Sequence, residues 1–325
     1  MRLIYSTLIF FFAFSLASCR KSENPVTNAQ NKTWRFAVLS DTHVTINSDT
    51  IKEMIPFLLK DSISLVLVCG DLVEGGKMKS PALLDAEFSM WRGIFQPLYD
   101  KGIGIYPVRG NHEDDAINDI EVWNKHLSGS GAMPQNGPVG EVNLTYSFNY
   151  KNAMFIGLDN YINIHKVNQE WLTNQLAANK QTHLFVFGHE PAYKVFHTDC
   201  LDDFPAERNL FWKSLASAGA KTYFCGHDHF YDAALIDDGD GNKGNDLIQC
   251  VVGGGGGWLM SKYSYNGTNS PYKVNAKYHR IAHGYALVEI SGESSDDKNI
   301  TITWKERRMK GNAAEYYSTD DVINF

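Results

Sequence analysis

Short apolar segments recur along this chain, and most of them end in aspartate, histidine or asparagine. The segments lie at residues 34–39, 63–69, 103–108, 153–158, 183–187 and 220–225. Helical patterns lie between several of them, at about residues 50–61, 81–100, 117–127, 167–179 and 207–218. This alternation predicts an α/β domain with buried, largely parallel strands.

The pattern changes after residue 226, where strands follow one another without helices. These strands are predicted at residues 230–236, 246–252, 284–290 and 299–306, and they suggest a second, more antiparallel sheet. Long loops that could line or cover a site are predicted at about residues 128–142, 196–206 and 253–283. Because no repeat or Pro/Gly-rich linker interrupts residues 34–310, we expect one domain there, followed by a C-terminal tail over residues 311–325.

The N-terminal residues are typical of an exported protein. An apolar run over residues 3–17 follows Met1-Arg2, and it is short for a membrane span but suits a signal peptide. Leu16-Ala17-Ser18-Cys19 resembles a bacterial lipobox, in which cleavage precedes a cysteine that then carries lipid. We therefore expect a signal peptide over residues 1–18, lipidation of Cys19 and a tether over residues 19–33. The alternative is a soluble secreted protein with an unmodified cysteine.

These features predict a cell-envelope lipoprotein held at the membrane through Cys19. Arg20 takes the place of the aspartate that retains some lipoproteins in the inner membrane, which favours the outer membrane. The net charge of −7 argues against nucleic acid as a partner, because tracking a phosphate backbone needs a basic face. In an oxidising compartment Cys225 and Cys250 could pair, although buried free thiols are expected at Cys69 and Cys225.

Five of the predicted strands deliver polar side chains from their carboxyl ends. The strand-end sequences are Asp41-Thr42-His43, Gly70-Asp71, Arg109-Gly110-Asn111-His112-Glu113, Gly188-His189 and Gly226-His227-Asp228-His229. In open α/β sheets ligands bind at this edge. Seven imidazole, carboxylate and amide side chains meeting there are too many for one metal ion and suit two that share a carboxylate. Two adjacent metals are the arrangement that clamps both oxygens of a phosphoryl transfer.

In this order the five motifs resemble those of the calcineurin-like metallophosphoesterases, from about Trp34 to about Ile236. The resemblance implies two packed mixed β-sheets flanked by helices, an α/β/β/α sandwich with the metal site at the carboxyl ends of strands. It implies that Asp71 bridges two metal ions. The remaining ligands would be Asp41, His43 and His229 for the first metal, and Asn111, His189 and His227 for the second. Manganese, iron and zinc all suit such ligands.

The same resemblance implies hydrolysis of phosphate esters by a metal-bridging hydroxide. His112 would protonate the leaving oxygen or stabilise the transition state. Arg109 could bind a phosphate oxygen through its planar guanidinium, or it could be a supporting residue outside the site.

The finer resemblance lies between two branches of the family. The segments after Gly188 and Gly226 are similar to stretches of purple acid phosphatases, but Glu74 stands where those enzymes have a tyrosine ligand. His43 is also absent from that branch, so an iron–tyrosinate colour is not expected. The motifs around Asp41, Asp71 and Asn111 are closer to the cyclic-nucleotide-phosphodiesterase-like branch.

The expected substrate is a small phosphorylated molecule, cleaved as a phosphomonoester or a phosphodiester. Aromatic residues such as Tyr161, Tyr193 and Trp258 could stack on a base or sugar. The glycine run at residues 253–257 could bring amides to an anion, although a tight turn without a ligand is the favoured interpretation. Two alternatives remain: a nuclease of the same family, and a metal-binding scaffold without activity.

Overall fold

Two mixed β-sheets pack face to face and carry helices on their outer surfaces. The computed structural model describes residues 33–76, 80–127, 133–261, 268–269, 271–292 and 299–325. The helices are α1 Asp49–Lys60, α2 Pro81–Tyr99, α3 Asn111–Asp114, α4 Asp119–Leu127, α5 Gln169–Ala178 and α6 Pro205–Ser217. The strands are β1 Trp34–Leu39, β2 Leu65–Cys69, β3 Gly104–Val108, β4 Tyr146–Tyr150, β5 Ala153–Gly157, β6 His183–Phe187, β7 Thr222–Cys225, β8 Tyr231–Asp237, β9 Leu247–Val252, β10 Thr268–Asn269, β11 Tyr272–Arg280, β12 Gly284–Ile290, β13 Ile300–Lys310 and β14 Ala313–Asn324.

The first sheet has the strand order β14-β13-β12-β1-β2-β3, and the second has the order β10-β11-β8-β9-β7-β6-β5-β4. In the first sheet β1, β2 and β3 pair in parallel. In the second sheet β5, β6, β7 and β9 pair in parallel. The parallel strands of each sheet therefore point their carboxyl ends toward one edge, where the topology collects the loops that follow them.

The alternation of side chains along β1 shows how the layers form. Phe36 and Val38 point into the core between the sheets, whereas Ala37 and Leu39 pack with the residues of α1 and α2. Helix α1 buries Ile51, Met54, Ile55 and Leu58, the spacing of one helix face. A third core lies between the second sheet and helices α5 and α6. The predicted α/β/β/α sandwich is therefore confirmed.

The C-terminal strands do not form a sheet of their own, so that expectation is wrong. Strands β8 and β9 lie inside the second sheet, while β12 and β13 extend the first sheet from β1. A hydrophobic run shows that a segment is buried, but it does not show which existing strand it pairs with.

Two further segments differ from the expectations. Residues 311–325, expected as a tail, contain β14, which pairs antiparallel with β13 along most of its length. Part of the long loop predicted over residues 253–283 is strand β11, which pairs with β8.

The predicted signal peptide, Cys19 and residues 19–32 of the tether lie outside the described residues, so these remain predictions. Among the helices of the described ranges, none combines the length and the apolar character needed to span a membrane.

Candidate functional site

The loops that follow strands of the first sheet supply four of the predicted metal ligands. Asp41 and His43 follow β1, Asp71 follows β2, and Asn111 opens α3 just after β3. Backbone hydrogen bonds join two of these loops, since the amides of Asp41 and His43 donate to the carbonyls of Gly70 and Asp71 at 3.0 and 3.1 Å. These bonds hold the first two motifs side by side.

The second sheet supplies the other three predicted ligands. His189 follows β6, and His227 and His229 follow β7. The amide of His227 donates to both carboxylate oxygens of Asp41 at 3.1 Å, so the loops of the two sheets meet directly.

One group of ligand atoms gathers around His43. Side-chain ligand atoms of Asp41, His43, Asp71 and His229 all lie within 4.8 Å of one another. The Nε2 atoms of His43 and His229 are 3.1 Å apart, and His43 Nε2 is 3.5 Å from Asp71 Oδ2. His229 Nε2 lies 3.4 Å from Asp41 Oδ1. Two imidazole nitrogens and two carboxylates are thus directed at one small volume.

A second group shares Asp71 with the first. Side-chain ligand atoms of Asp71, His189 and His227 lie within 4.8 Å of one another. His189 Nε2 is 3.5 Å from Asp71 Oδ2 and 3.1 Å from Asn111 Oδ1. Asp71 is therefore the residue that both groups have in common, which is the position predicted for a bridging ligand.

Carbonyl groups behind the imidazoles set the direction in which they face. His189 Nδ1 lies 2.7 Å from the carbonyl of Cys69, and His229 Nδ1 lies 2.7 Å from the carbonyl of Trp258. A carbonyl accepts the Nδ1 proton, which leaves Nε2 of each ring as the atom directed at the site. Metal-ligating histidines are oriented in this manner.

The backbone is strained at four of the predicted ligands. Asp41, His43, Asp71 and His227 have φ angles of 58°, 42°, 50° and 70°, in the left-handed region that residues other than glycine rarely adopt. Such strain persists only where surrounding contacts impose it, and it is concentrated at functional sites.

The glycine run at residues 253–257 packs against the first motif. The amide of Gly255 donates to the carbonyl of Ser40 at 2.9 Å, and the amide of Gly257 donates to the carbonyl of Asp41 at 2.9 Å. A Cβ on Gly255 would lie 2.2 Å from the Ser40 carbonyl oxygen. The run therefore allows two backbones to approach closely, and these two amides are used within the protein.

The charged side chains of the site stabilise one another. Burial opposes ionisation of Asp71, but the adjacent His189 and His43 outweigh it and hold the Asp71 pKa well below its usual range. Burial likewise opposes a charge on His189, yet Asp71 and Asp41 raise the His189 pKa to about 10. His229 shows the same balance, with burial outweighed by Asp41, so that its pKa is also raised.

The site fits the two metal ions that the sequence predicts. His227 Nε2 is buried and has no hydrogen-bond partner among the described residues; its nearest carboxylate oxygen, Oδ1 of Asp199, is 3.6 Å away. A buried imidazole nitrogen without a partner is costly unless a ligand satisfies it. Nitrogen and oxygen donors of this kind suit manganese, iron and zinc. The assignment of each ligand to one of the two metals stays a prediction.

His112 lies beside the first group of ligand atoms. Its ring centroid is 4.4 Å from that of His43, and its Nδ1 is 2.5 Å from the carbonyl oxygen of Glu74. The backbone amide of His112, not its ring, donates to Asp71 Oδ1 at 3.0 Å. The ring of this half-buried residue is therefore oriented from behind, with Nε2 as its second polar atom.

Arg109 does not fit the phosphate-binding role, and the structure corrects that expectation to the supporting alternative. Its side chain is fully buried, with Nε and Nη2 donating to the two carboxylate oxygens of Asp159 at 2.8 and 3.2 Å. Nη1 pairs with Asp119 and lies 3.4 Å from Asp114. Its guanidinium is thus surrounded by three carboxylates and is not available to a substrate.

Three supporting residues received no role from the sequence. The Glu113 carboxylate accepts hydrogen bonds from the amides of Gly110, Asp71 and Val73 at 2.8 to 3.1 Å. Asn160 Oδ1 accepts from the amides of His189 and Glu190, and Asp228 accepts from two amides of the 196–197 segment. Glu113 and Asp228 lie inside the motifs themselves, and that position is the only signal for them.

His197 was not predicted as a site residue, yet it lies next to a predicted ligand. Its ring centroid is 4.1 Å from that of His227, and its Nδ1 is 2.8 Å from Asp228 Oδ1. Cys69, Cys200, Cys225 and Cys250 are free and buried, which agrees with the expectation for Cys69 and Cys225. Cys225 Sγ lies 3.8 Å from the backbone carbonyl of Cys250, so the alternative pairing of these two residues is not formed.

An open groove of about 430 Å³ lies beside the ligand atoms, lined by Phe196, His197, Trp258, Leu259, Met260 and Ser261. Trp258 is 58% exposed, and its ring centroid is 4.8 Å from that of His229. The two other aromatic candidates are less available. Tyr193 is fully buried against Trp212, and Tyr161 is only 8% exposed.

Known proteins share both the sequence pattern and the fold. The family described as calcineurin-like phosphoesterase matches residues 35–231. Tartrate-resistant acid phosphatase type 5 of Homo sapiens is 28% identical over 145 residues, which are 43% of this chain and 39% of that protein. The match therefore spans well under half the length of that relative.

Two solved structures extend the similarity of fold. The purple acid phosphatase PPD1 from yellow lupin (Lupinus luteus) superposes with a TM-score of 0.64 at 15% identity, over 85% of this chain and 52% of that chain. The Plasmodium protein GAP50 gives a TM-score of 0.59 at 16% identity, over 88% and 89% of the two chains. The resemblance predicted from the five motifs is confirmed, and the chain belongs to the calcineurin-like phosphoesterase family.

Proposed function

We propose that this protein is an exported, lipid-anchored enzyme that hydrolyses the phosphate ester of a small molecule at a two-metal centre. The observation that carries the proposal is the position of Asp71. It belongs to two groups of ligand atoms, one with Asp41, His43 and His229 and the other with His189 and His227. Family membership and the acid phosphatase relative support the same reaction class.

We assign most of the site residues to metal binding, and one residue to the substrate. Asp41, His43 and His229 would hold one ion, Asn111, His189 and His227 the other, and Asp71 both. When bound, the two ions would supply Lewis acidity, activate water and neutralise charge on the phosphoryl group. The protein's own part is to fix the ligands through buried contacts, such as the Cys69 carbonyl behind His189.

His112 is the residue we assign to the leaving group. Its Nδ1 proton is accepted by the Glu74 carbonyl, so a second proton on the ring would reside on Nε2. An imidazolium in this position can donate that proton to the departing oxygen and then recover one from solvent.

The groove beside Trp258 supports a substrate with an apolar or aromatic leaving group. Phe196 is 38% exposed and Trp258 is 58% exposed, although both are large apolar side chains. An exposed apolar surface beside a few polar groups is a common form of ligand-binding groove.

Hydrolysis of para-nitrophenyl phosphate and bis-para-nitrophenyl phosphate tests the reaction. The protein is loaded in turn with manganese, iron and zinc, and Asp71→Asn is the negative control. Preference for the monoester would assign a phosphatase, and preference for the diester would assign a phosphodiesterase. If wild-type protein with two metals per chain cleaves neither, the proposal fails and the scaffold alternative replaces it.

The anchor is tested independently of catalysis. Mass spectrometry of the mature N-terminus is expected to find a lipid-modified Cys19, and Cys19→Ala should release the protein from the membrane fraction. An unmodified Cys19 with the protein in the soluble fraction would contradict the anchor and leave the proposed reaction intact.

A further inference from the structure

The loop that joins β8 to β9 concentrates carboxylates far from the metal ligands already described. Asp237 ends β8, Asp246 precedes β9, and Asp238 and Asp240 lie in the loop between them. A strand of seven residues separates this loop from His229, and at about 3.3 Å per residue that is roughly 20 Å. The two sites therefore share no ligand.

Three of these carboxylates converge. Side-chain oxygens of Asp237, Asp238 and Asp246 lie within 4.8 Å of one another. In the described residues no lysine or arginine forms an ion pair with them, although Lys273 pairs in register with Asp237 across β8 and β11. Lys221 Nζ is also near, but it donates to the backbone carbonyl of Gly244.

Asp246 provides an independent sign that a ligand is missing. Asp246 is only 8% exposed, and its Oδ1 atom is buried without a hydrogen-bond partner among the described residues. A buried, unpartnered carboxylate oxygen is strongly disfavoured unless a cation or a proton satisfies it. Burial raises the Asp246 pKa, and the charges of Asp237, Asp238 and Asp240 add to this effect against a hydrogen bond from the Asp238 backbone.

The chemistry of the donor atoms favours Ca²⁺ over transition metals. All of them are oxygens, which hard cations prefer, and a loop with glycines at 239, 241 and 244 can adjust to the large coordination sphere of Ca²⁺. Asp238, Asp240 and Asn242 occupy alternate positions, as do the first three ligands of a helix–loop–helix calcium loop, although Lys243 stands where that loop has glycine. Among the described residues, no imidazole or thiolate joins the cluster to favour zinc.

We propose that Asp237, Asp238 and Asp246 form a Ca²⁺ site that fastens the β8–β9 loop to the second sheet. One ion would satisfy the buried oxygen of Asp246 and relieve the repulsion between the three carboxylates. Because the site lies at the opposite end of β8 from the metal centre, it stabilises the fold and takes no part in the reaction. The proposal is independent of the proposed function.

Calcium binding to the full chain tests this site. Wild type, Asp246→Asn and the control Asp320→Asn, an exposed aspartate on β14, are titrated by calorimetry, and thermal unfolding is followed with and without CaCl₂ at about 10 mM. That concentration is roughly tenfold above the dissociation constants of the weakest extracellular calcium sites. MgCl₂ at the same concentration measures selectivity.

The expected result is a calcium-dependent rise in the unfolding midpoint of wild type and Asp320→Asn that is absent in Asp246→Asn. Calorimetry should show one Ca²⁺ fewer per chain in Asp246→Asn, or an affinity at that site weaker by roughly tenfold or more, because ligand charge sets calcium affinity. Binding at the metal centre is common to all three proteins and cancels in the comparison.

Equal calcium responses in wild type and Asp246→Asn would overturn the proposal, as would the absence of any response in wild type. If Asp246→Asn does not fold, Asp238→Asn replaces it, because Asp238 is only half-buried and its loss leaves the strands intact. An equal response in Asp238→Asn and wild type would count against the site in the same way.

Discussion

Replacement of His112 by alanine should slow hydrolysis strongly while leaving the metal centre loaded. The change removes the bond between the ring and the Glu74 carbonyl, but the bond to the predicted bridging ligand comes from the backbone, since the amide of His112 donates to Asp71 Oδ1 at 3.0 Å. That bond survives in His112→Ala. General acids contribute roughly 10²- to 10⁴-fold, which corresponds to about 3 to 5 kcal/mol of transition-state stabilisation.

The leaving group provides the sharper measurement. A proton donor matters most when the departing oxygen is a poor leaving group, so the loss should be larger for phenyl phosphate than for para-nitrophenyl phosphate. We expect kcat/KM of His112→Ala to fall more steeply as the leaving group becomes more basic. His112→Asn is the matched control, because its amide can still donate to the Glu74 carbonyl but cannot carry the transferred proton.

A distinct outcome would refute this reasoning. His43, Glu74 and His112 also place ligand atoms within 4.8 Å of one another, an arrangement in which His112 could be a ligand. If elemental analysis shows that His112→Ala loses metal, the assignment as proton donor is wrong. An equal loss of rate for every leaving group, or full activity of His112→Asn, would contradict it as well.

Four further predictions concern the metal centre and its support. Asp71→Asn should abolish turnover and lower the metal content below two ions per chain, because both ligand groups share this carboxylate; near-normal activity with two metals would reject the bridge. The raised His189 pKa, about 10 without metal, means that a metal must displace a proton at neutral pH. Metal affinity should therefore weaken as the pH falls, by up to about tenfold per unit for each proton displaced; calorimetry in buffers of different ionisation enthalpy would detect the released protons, and pH-independent affinity would contradict the prediction. Arg109→Met should lower the free energy of unfolding by about 3 to 5 kcal/mol, as expected when one partner of a buried ion pair is removed, and denaturant titration would measure it; a selective rise in KM without loss of stability would restore the phosphate-binding role. Burial raises the pKa of the thiols of Cys69, Cys200, Cys225 and Cys250, so these should react with a thiol reagent only after unfolding, and rapid labelling of the folded protein would count against this burial.

The strand-end residues of the site could be predicted from the sequence because two local signals coincide there. A run such as Leu65–Cys69 is buried along its whole length, and a polar residue such as Asp71 after a glycine marks where the chain turns. Repetition at five strand ends makes one shared edge the simplest arrangement. The parallel strands were predictable because their apolar runs alternate with helical patterns.

Edge strands and pairing partners were not predictable in this way. Strand β14 alternates between exposed and buried residues and includes four polar or charged residues in succession at 318–321; only its contact with β13 makes it a strand. The burial of Arg109 was also invisible, since Asp159, the carboxylate that binds it twice, is 50 residues away in sequence. Contacts of this range depend on the assembled fold.

The division of the predicted ligands between the two sheets has a consequence for biogenesis. Residues 41–111, which follow strands of the first sheet, supply four of the ligands, and residues 189–229, which follow strands of the second, supply the other three. Neither half of the polypeptide supplies all seven predicted ligands alone, so we expect binding of the metal pair to require that the two sheets have already docked. Bound ions would link the loops of the two sheets. Amide hydrogen exchange should therefore slow in the inner strands of both sheets when metal binds.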